Sequence, residues 1–344
     1  MSFGTDADVS DVSTGTTSTE TSGMSRRRFA VGVAGVAGLT GLSGCSGVLG
    51  SSKSNENTEE VTIVLTPENP TEVKKDYMPM QRYLEDQISD LEITFQVPTD
   101  YSAIRPALTS KQAEIAMDDI TLIGIPDKVE VMGTAVTGGT PYYFSLMMTK
   151  SDSDIEEPAD VAGKSMAFAD SLSTSGSIYA LWELQNAGLD IGQAPGSDNG
   201  ADFSGNWSNH KSALEQLIND KVDACSTWGG NGMPYVPEND VPDQVMEKTA
   251  YKSELGSKSP ALDVFLYSEP IPKQPVINRA TWESPMKETI AQTLYEADDE
   301  TMAQYKPDDY GGTMPFTTLR ETSEGDYQPV IKRVNDLGID LTQE

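Results

Sequence analysis

The chain has 344 residues, long for one small domain and comfortable for two packed α/β domains. Hydrophobic residues make up 37%, and 54 Asp and Glu stand against 24 Lys and Arg, for a formal net charge of -30. Such a charge excludes a nucleic-acid partner, which needs basic patches against the phosphate backbone, and an anionic membrane surface as the binding target. The acids are scattered along the chain, so they read as a solvated surface and not as a functional tail. Concentrated salt, with a Debye length of about 3 Å at 1 M, relieves the self-repulsion of such a surface. The composition therefore predicts a salt-adapted, halophilic protein.

Residues 1–23 are rich in Ser, Thr, Gly and Asp without hydrophobic period, which predicts an unstructured leader. Ser25-Arg26-Arg27-Arg28-Phe29 then precedes an apolar, Gly- and Ala-rich stretch from Ala30 to Leu42. The order basic, apolar, small is that of a secretory signal, and an Arg pair followed by Phe resembles a twin-arginine signal. The apolar run is too short to cross a bilayer of roughly 30 Å as a helix. It ends in Leu42-Ser43-Gly44-Cys45, which resembles a lipobox. The expectation is a signal over residues 1–44, a lipid on Cys45 and a polar tether over 45–60, with the protein anchored to the outer face of the cell membrane. Cys225 is then expected to be a buried, inert thiol.

Regular patterning begins at Val61, with a strand to Leu65. Helical spacing follows over 72–88, bringing Tyr77, Met80, Tyr83, Leu84 and Ile88 to one side. Leu91 to Val97 alternates as a strand, a short helix starts at Asp100-Tyr101-Ser102, and Glu114 to Met117 is another strand. A long strand is predicted over Tyr142 to Thr149, then an acidic linker over 150–160. A second alternating unit starts at Lys164: the strand SMAFAD, a helix from Ser177, a helix over 209–219 and a strand from Val222 to Thr227. Ala261 to Tyr267 is a further strand leading back, and Trp282 to Tyr305 is mostly helical. Alternation of strand and helix predicts an α/β fold in two lobes with a cleft between them.

Asp170-Ser171-Leu172-Ser173-Thr174-Ser175-Gly176 lies between a strand's carboxyl end and a helix's amino end. Unpaired amides and the partial positive charge of a helix start, joined by hydroxyls, make a neutral cradle for phosphate-like oxygens. Ordinary capping needs only one such hydroxyl. His210, the only histidine, opens a helix and is positioned to donate a hydrogen bond. Tyr101 and Tyr143 read equally well as packing residues or as cleft residues. With one His, a zinc site is implausible, and neither a G-x-S-x-G elbow nor a phosphate-binding P-loop is present. No metal and no cofactor is expected.

Taken together and in this order, these segments resemble the phosphate/phosphite/phosphonate substrate-binding proteins of ABC transporters, the PhnD type. The resemblance covers roughly residues 61–300. Asp100-Tyr101-Ser102-Ala103-Ile104 looks like the family's DYxxI helix start and Tyr143-Phe144-Ser145 like its YxS strand. Asp170 to Gly176 looks like DPxSTSG without the Pro, and His210 with Ala213-Leu214 and Val222-Asp223-Ala224 looks like HxxxAL…VDxA. The resemblance implies a type II periplasmic-binding-protein fold, with residues 61–148 plus 268–344 as the first lobe and 149–267 as the second. It implies ligand contacts from Tyr101, Tyr143, Ser173, Thr174, Ser175 and His210, and a non-catalytic monomer that works with an ABC permease and ATPase. Family members that bind an aminoalkyl phosphonate hold its ammonium with two carboxylates. At the matching places this chain has Gly230 and Lys273-Gln274. The expectation is therefore phosphite, phosphate or a phosphonate with a small uncharged tail. A ligand-sensing receptor partner and an extracytoplasmic phosphoesterase are the alternative readings.

Overall fold

A computed structural model describes residues 58–341 of the chain. The expected signal, Cys45 and all but the last three residues of the expected tether lie outside them. Among the described residues no helix is long and apolar enough to cross a membrane.

Among the described residues thirteen strands occur, in chain order β1 (Glu59–Val64), β2 (Leu91–Gln96), β3 (Ile115–Met117), β4 (Val129–Val136), β5 (Tyr142–Tyr143), β6 (Ser145–Lys150), β7 (Ser165–Phe168), β8 (Ser204–Trp207), β9 (Ala224–Trp228), β10 (Leu262–Tyr267), β11 (Ile271–Pro272), β12 (Pro275–Arg279) and β13 (Thr318–Arg320). One sheet has the order β13-β4-β12-β3-β1-β2 and a second β10-β6-β9-β7-β8. Pairing is parallel among β1, β2 and β3 and among β7, β8 and β9, whereas β12 and β6 run antiparallel to their neighbours.

Local chemistry explains the elements. Asn69 caps the helix Pro70–Gln87, accepting from the amides of Thr71 and Glu72 at 3.0 and 3.2 Å, with Pro70 in the first turn. That helix buries Val73, Tyr77, Met80, Tyr83 and Leu84 against Ile63, Ile93 and Phe95 of the first sheet. Edge strand β2 alternates buried and exposed, so its period is visible in sequence. Inner strands β3 and β12 are buried throughout, as sheets covered on both faces are. The first lobe packs its layers around Val61, Ile63 and Leu84; the second packs around Leu146, Met148 and Cys225 on one face and Met166, Phe168 and Leu184 on the other.

The long strand expected over Tyr142 to Thr149 is two strands. β5 pairs with β11 in a two-stranded ribbon, and β6 belongs to the second sheet. The chain changes sheet at Phe144, which is 2% exposed and packs in the second lobe. The lobe boundary expected after residue 148 therefore falls inside β6. The run from Tyr142 to Met148 is continuously apolar save Ser145, so its pattern carries no mark of the break. β10 ends at Tyr267, and β11 and β12 return the chain to the first sheet. The two crossings are tied together: the Ser145 amide donates to Ser268 Oγ at 3.0 Å, and the Ser268 amide donates to the Ser145 carbonyl at 3.0 Å.

The closing helix Gln328–Asp336 also joins the two halves. Arg333 lies over the rings of Tyr179 and Trp182 at 4.2 and 4.3 Å and bonds to Glu269. Just before that helix, the buried Tyr327 hydroxyl donates to the Lys273 carbonyl at 2.7 Å and is 2.9 Å from Thr134 Oγ1. Tyr327→Phe keeps the ring and strands these partners, so it should lower stability by about 1–3 kcal/mol in a denaturant titration.

Candidate binding site

β7 delivers the chain to a tight turn at the cleft. The Asp170 carboxylate accepts from the Leu172 amide at 2.8 Å, and the Asp170 carbonyl accepts from the Ser173 amide at 2.9 Å. Ser173 caps the next helix by accepting from the Gly176 amide at 3.1 Å. That helix opens as a wide π turn over Thr174–Ile178 and continues as Tyr179–Asn186. Its first amides have no intrahelical acceptor. Ser173, Thr174 and Ser175 are 1%, 4% and 2% exposed, so their hydroxyls face protein or cavity and not bulk water. The carbonyls of Ser175 and Gly176 accept from Ser145 Oγ at 2.5 Å and Ser226 Oγ at 2.6 Å, so these acceptors are satisfied inside the lobe. Gly176 is required by space: a Cβ there would stand 2.2 Å from Ala169 Cβ and 2.8 Å from His210 Cε1.

His210 opens the helix His210–Ile218, capped by Asn209, which accepts from the Ser212 amide at 2.8 Å. Its Nε2 is 3.0 Å from Ser173 Oγ and its Nδ1 3.2 Å from Thr227 Oγ1. Burial pushes the imidazole pKa down to about 3, so at neutral pH the ring donates at one nitrogen, accepts at the other and adds no charge.

Tyr101 begins a short helical segment of the first lobe, and Tyr143 lies on the crossing strand β5. Burial first, then nearby carboxylates, hold both phenols well above their usual range, so both remain protonated donors. Ser175 and Tyr143 line the same cavity. The sequence reading missed Asp118 and Asp119, an acid pair at the carboxyl end of β3. Asp118 caps the helix Asp119–Gly124, accepting from the Thr121 amide at 2.8 Å and hydroxyl at 2.6 Å. Asp119 Oδ1 accepts from Thr174 Oγ1 at 2.8 Å, joining the lobes, while its buried Oδ2 has no hydrogen-bond partner. Burial and the charge of Asp118 raise the Asp119 carboxyl pKa. Lys211 reaches Glu72 across the cleft at 2.9 Å.

Tyr101, Tyr143, Ser173, Thr174, Ser175 and His210 all line one cavity of about 280 Å³. Glu68, Asp76 and Glu254 line it too, none of them singled out by the sequence patterns. Burial, then the charge of Glu72, raises Glu68 to about 7 and Asp76 to about 6. Lys273 is also on the wall, but its Nζ turns to the Thr137 hydroxyl and the Pro315 carbonyl, and burial lowers its pKa to about 7. Cys225 is fully buried, which pushes its thiol pKa up. Among the described residues no group of His, Cys, Asp or Glu could hold a metal ion.

These environments have two consequences in solution. The ring resonances of the single histidine should stay flat in an NMR titration from pH 8 to 4.5. A midpoint near 6.5 would mean that the ring is hydrated. Glu68 binds its proton more tightly folded than unfolded, so its destabilising effect is absent below about pH 4.5 and complete above about pH 7. The stability of Glu68→Gln relative to the parent should therefore rise by about 1–3 kcal/mol between pH 4.5 and 8. The comparison cancels the opposite contribution of His210, whose depressed pKa makes stability rise with pH up to about 6.5.

The family model for ABC transporter, phosphonate, periplasmic substrate-binding proteins matches residues 63–323. The phosphate-import protein PhnD of Mycolicibacterium smegmatis is 28% identical over 139 residues, 38% of this chain and 43% of that protein, so the match spans less than half of that relative. The binding-protein component of an ABC phosphonate transporter from Pseudomonas aeruginosa superposes with a TM-score of 0.60 at 15% identity, covering 80% of this chain and 85% of the other. PhnD1 from Prochlorococcus marinus, solved with methylphosphonate, gives 0.60 at 12% identity, covering 81% and 98%. The two structural likenesses show a shared fold, the two-lobed type II periplasmic-binding-protein architecture. With that fold and a family match over most of its length, the chain belongs to the phosphonate-type substrate-binding proteins of ABC transporters.

Proposed function

We propose that the chain captures a small phosphorus oxyanion and presents it to an ABC permease and ATPase, while a lipid on Cys45 holds it at the outer face of the membrane. The observation that carries this reading is the convergence of Ser173, Thr174, Ser175, His210, Tyr101 and Tyr143 on one cavity. The names of two relatives support the ligand class: one is solved with methylphosphonate and the other is a phosphate importer.

The donors suit an acidic protein. Hydroxyls, phenols and helix-start amides attract an anion only at contact, so selection rests on geometry and not on a long-range field that a net charge of -30 would oppose. Inside a closed cleft the low local dielectric strengthens each such bond. Asp119, whose Oδ2 lacks a protein partner, adds a donor in its protonated form. The ligand favours the form in which the lobes meet, and the permease recognises that loaded form.

Isothermal titration calorimetry in high salt against phosphate, phosphite, methylphosphonate and sulfate tests the reading. The expected result is one-to-one binding of a phosphorus anion, weakened about tenfold or more by Ser175→Ala, the loss typical of one charge-assisted hydrogen bond. Folded protein that binds none of the phosphorus anions would sink the proposal.

A further inference from the structure

Asp119 stands where the first lobe meets the hydroxyl loop of the second. It opens the helix Asp119–Gly124, is 4% exposed and lines the cavity with Ser173, Thr174 and Ser175. Its Oδ1 accepts from Thr174 Oγ1 at 2.8 Å, whereas its buried Oδ2 has no hydrogen-bond partner among the described residues. The neighbouring Asp118 differs. One of its oxygens accepts from the Ile120 amide at 3.3 Å, and the other from the Thr121 amide and hydroxyl at 2.8 and 2.6 Å. One carboxylate is thus consumed in building the helix start, and the other keeps a free acceptor beside the hydroxyl loop.

An ionised carboxylate only accepts hydrogen bonds. An anion oxygen without a proton also only accepts, so the two placed face to face repel and leave each other unpaired. An anion oxygen that carries a proton donates it to the carboxylate and removes the conflict. A site that pairs with a ligand hydroxyl can reject an analogue lacking it by as much as about 10⁴-fold, because its own polar group is then stranded.

We propose that Asp119 Oδ2 accepts the hydroxyl proton of the bound oxyanion. The site then selects hydrogen phosphate, which keeps one P–OH in neutral and alkaline solution, over sulfate and over alkylphosphonates that have lost theirs. The inference rests on the anion-binding reading and names its ligand. An anion without the proton enters only when Asp119 takes one up itself. The charge of Asp119 also reaches the phenols of Tyr101, Tyr143, Tyr179 and Tyr327, all held above their usual range by burial first. Burial raises the Asp118 carboxyl too, opposed by its bonds to Thr121 and by the Arg105 charge. On the rest of the wall, His210 is neutral, and burial brings Glu68 and Lys273 to about 7. Alkaline solution therefore separates the proton of the ligand from theirs.

The test compares phosphate, methylphosphonate and sulfate by calorimetry on the purified protein in high salt, at about pH 8 and about pH 9.5. Phosphate affinity should stay within about threefold, while those of methylphosphonate and sulfate fall about tenfold per pH unit, one proton being taken up with each anion. Asp119→Asn keeps an oxygen for Thr174 and puts an N–H donor in place of the free acceptor. It should flatten those two profiles and narrow the preference for phosphate over sulfate by about tenfold or more. Equal pH slopes for the three anions in the parent would overturn the inference and leave the anion site standing, as would an Asp119→Asn protein that keeps the full preference. If the variant does not fold, the slopes of the parent decide alone. Folded parent that binds no phosphorus anion at either pH would overturn the anion reading itself, and this inference with it.

Discussion

The cleft depends on how closely one helix start can approach one strand. Gly176 lets the π turn settle against Ala169 of the turn after β7 and against the His210 ring, at distances where a methyl group would collide. Ser145 and Ser226, from the two neighbouring antiparallel strands, hold the carbonyls on either side of that contact. Three consecutive hydroxyl residues then line a cavity, Ser173 capping the helix as well. His210 is held by the same packing, between Ser173 and Thr227, and burial keeps it neutral.

An acidic surface and the proposed anion site are compatible because they act on different length scales. The surface charge is diffuse and is screened within a few ångströms in salt. The proposed anion contacts are dipoles that act at contact, inside a cavity where water is scarce. The carboxylates that do reach the cavity differ in their surroundings, and Glu72 among them is paired with Lys211. Asp118 and Asp119 belong to the strand end facing the hydroxyl loop, and one of them is tied to Thr174. Glu68, Asp76 and Glu254 line the same cavity as Trp228 and Tyr251.

The connection between the lobes has its own chemistry. The ribbon of β5 and β11 is only two residues long on each strand, yet the adjoining Ser145 and Ser268 exchange hydrogen bonds across it. Tyr143, a proposed ligand contact, sits in this ribbon, on the element that joins the lobes. The closing helix adds Arg333, stacked between Tyr179 and Trp182, behind the loop that begins the same helix.

Much of this was legible in the sequence. The α/β alternation, the amphipathic helix opening the first lobe and the hydroxyl loop at a strand's carboxyl end arise from period, capping and turn chemistry, all of which are local. The six residues named from the loop, from His210 and from the family-like tyrosines line one cavity, although they come from four separate segments. Other features needed the folded chain. The break at Phe144 is hidden in an apolar run, because a residue buried in one lobe looks like a residue buried in the other. Asp118 and Asp119 read as two more acids in a chain with 54, and only burial and the Thr174 contact distinguish them. Glu68 and Asp76 are near each other in sequence, but Glu254 joins their wall only in the folded chain. Sequence period and capping determine local conformation; which charges meet, and how much water is left to screen them, is decided by tertiary packing.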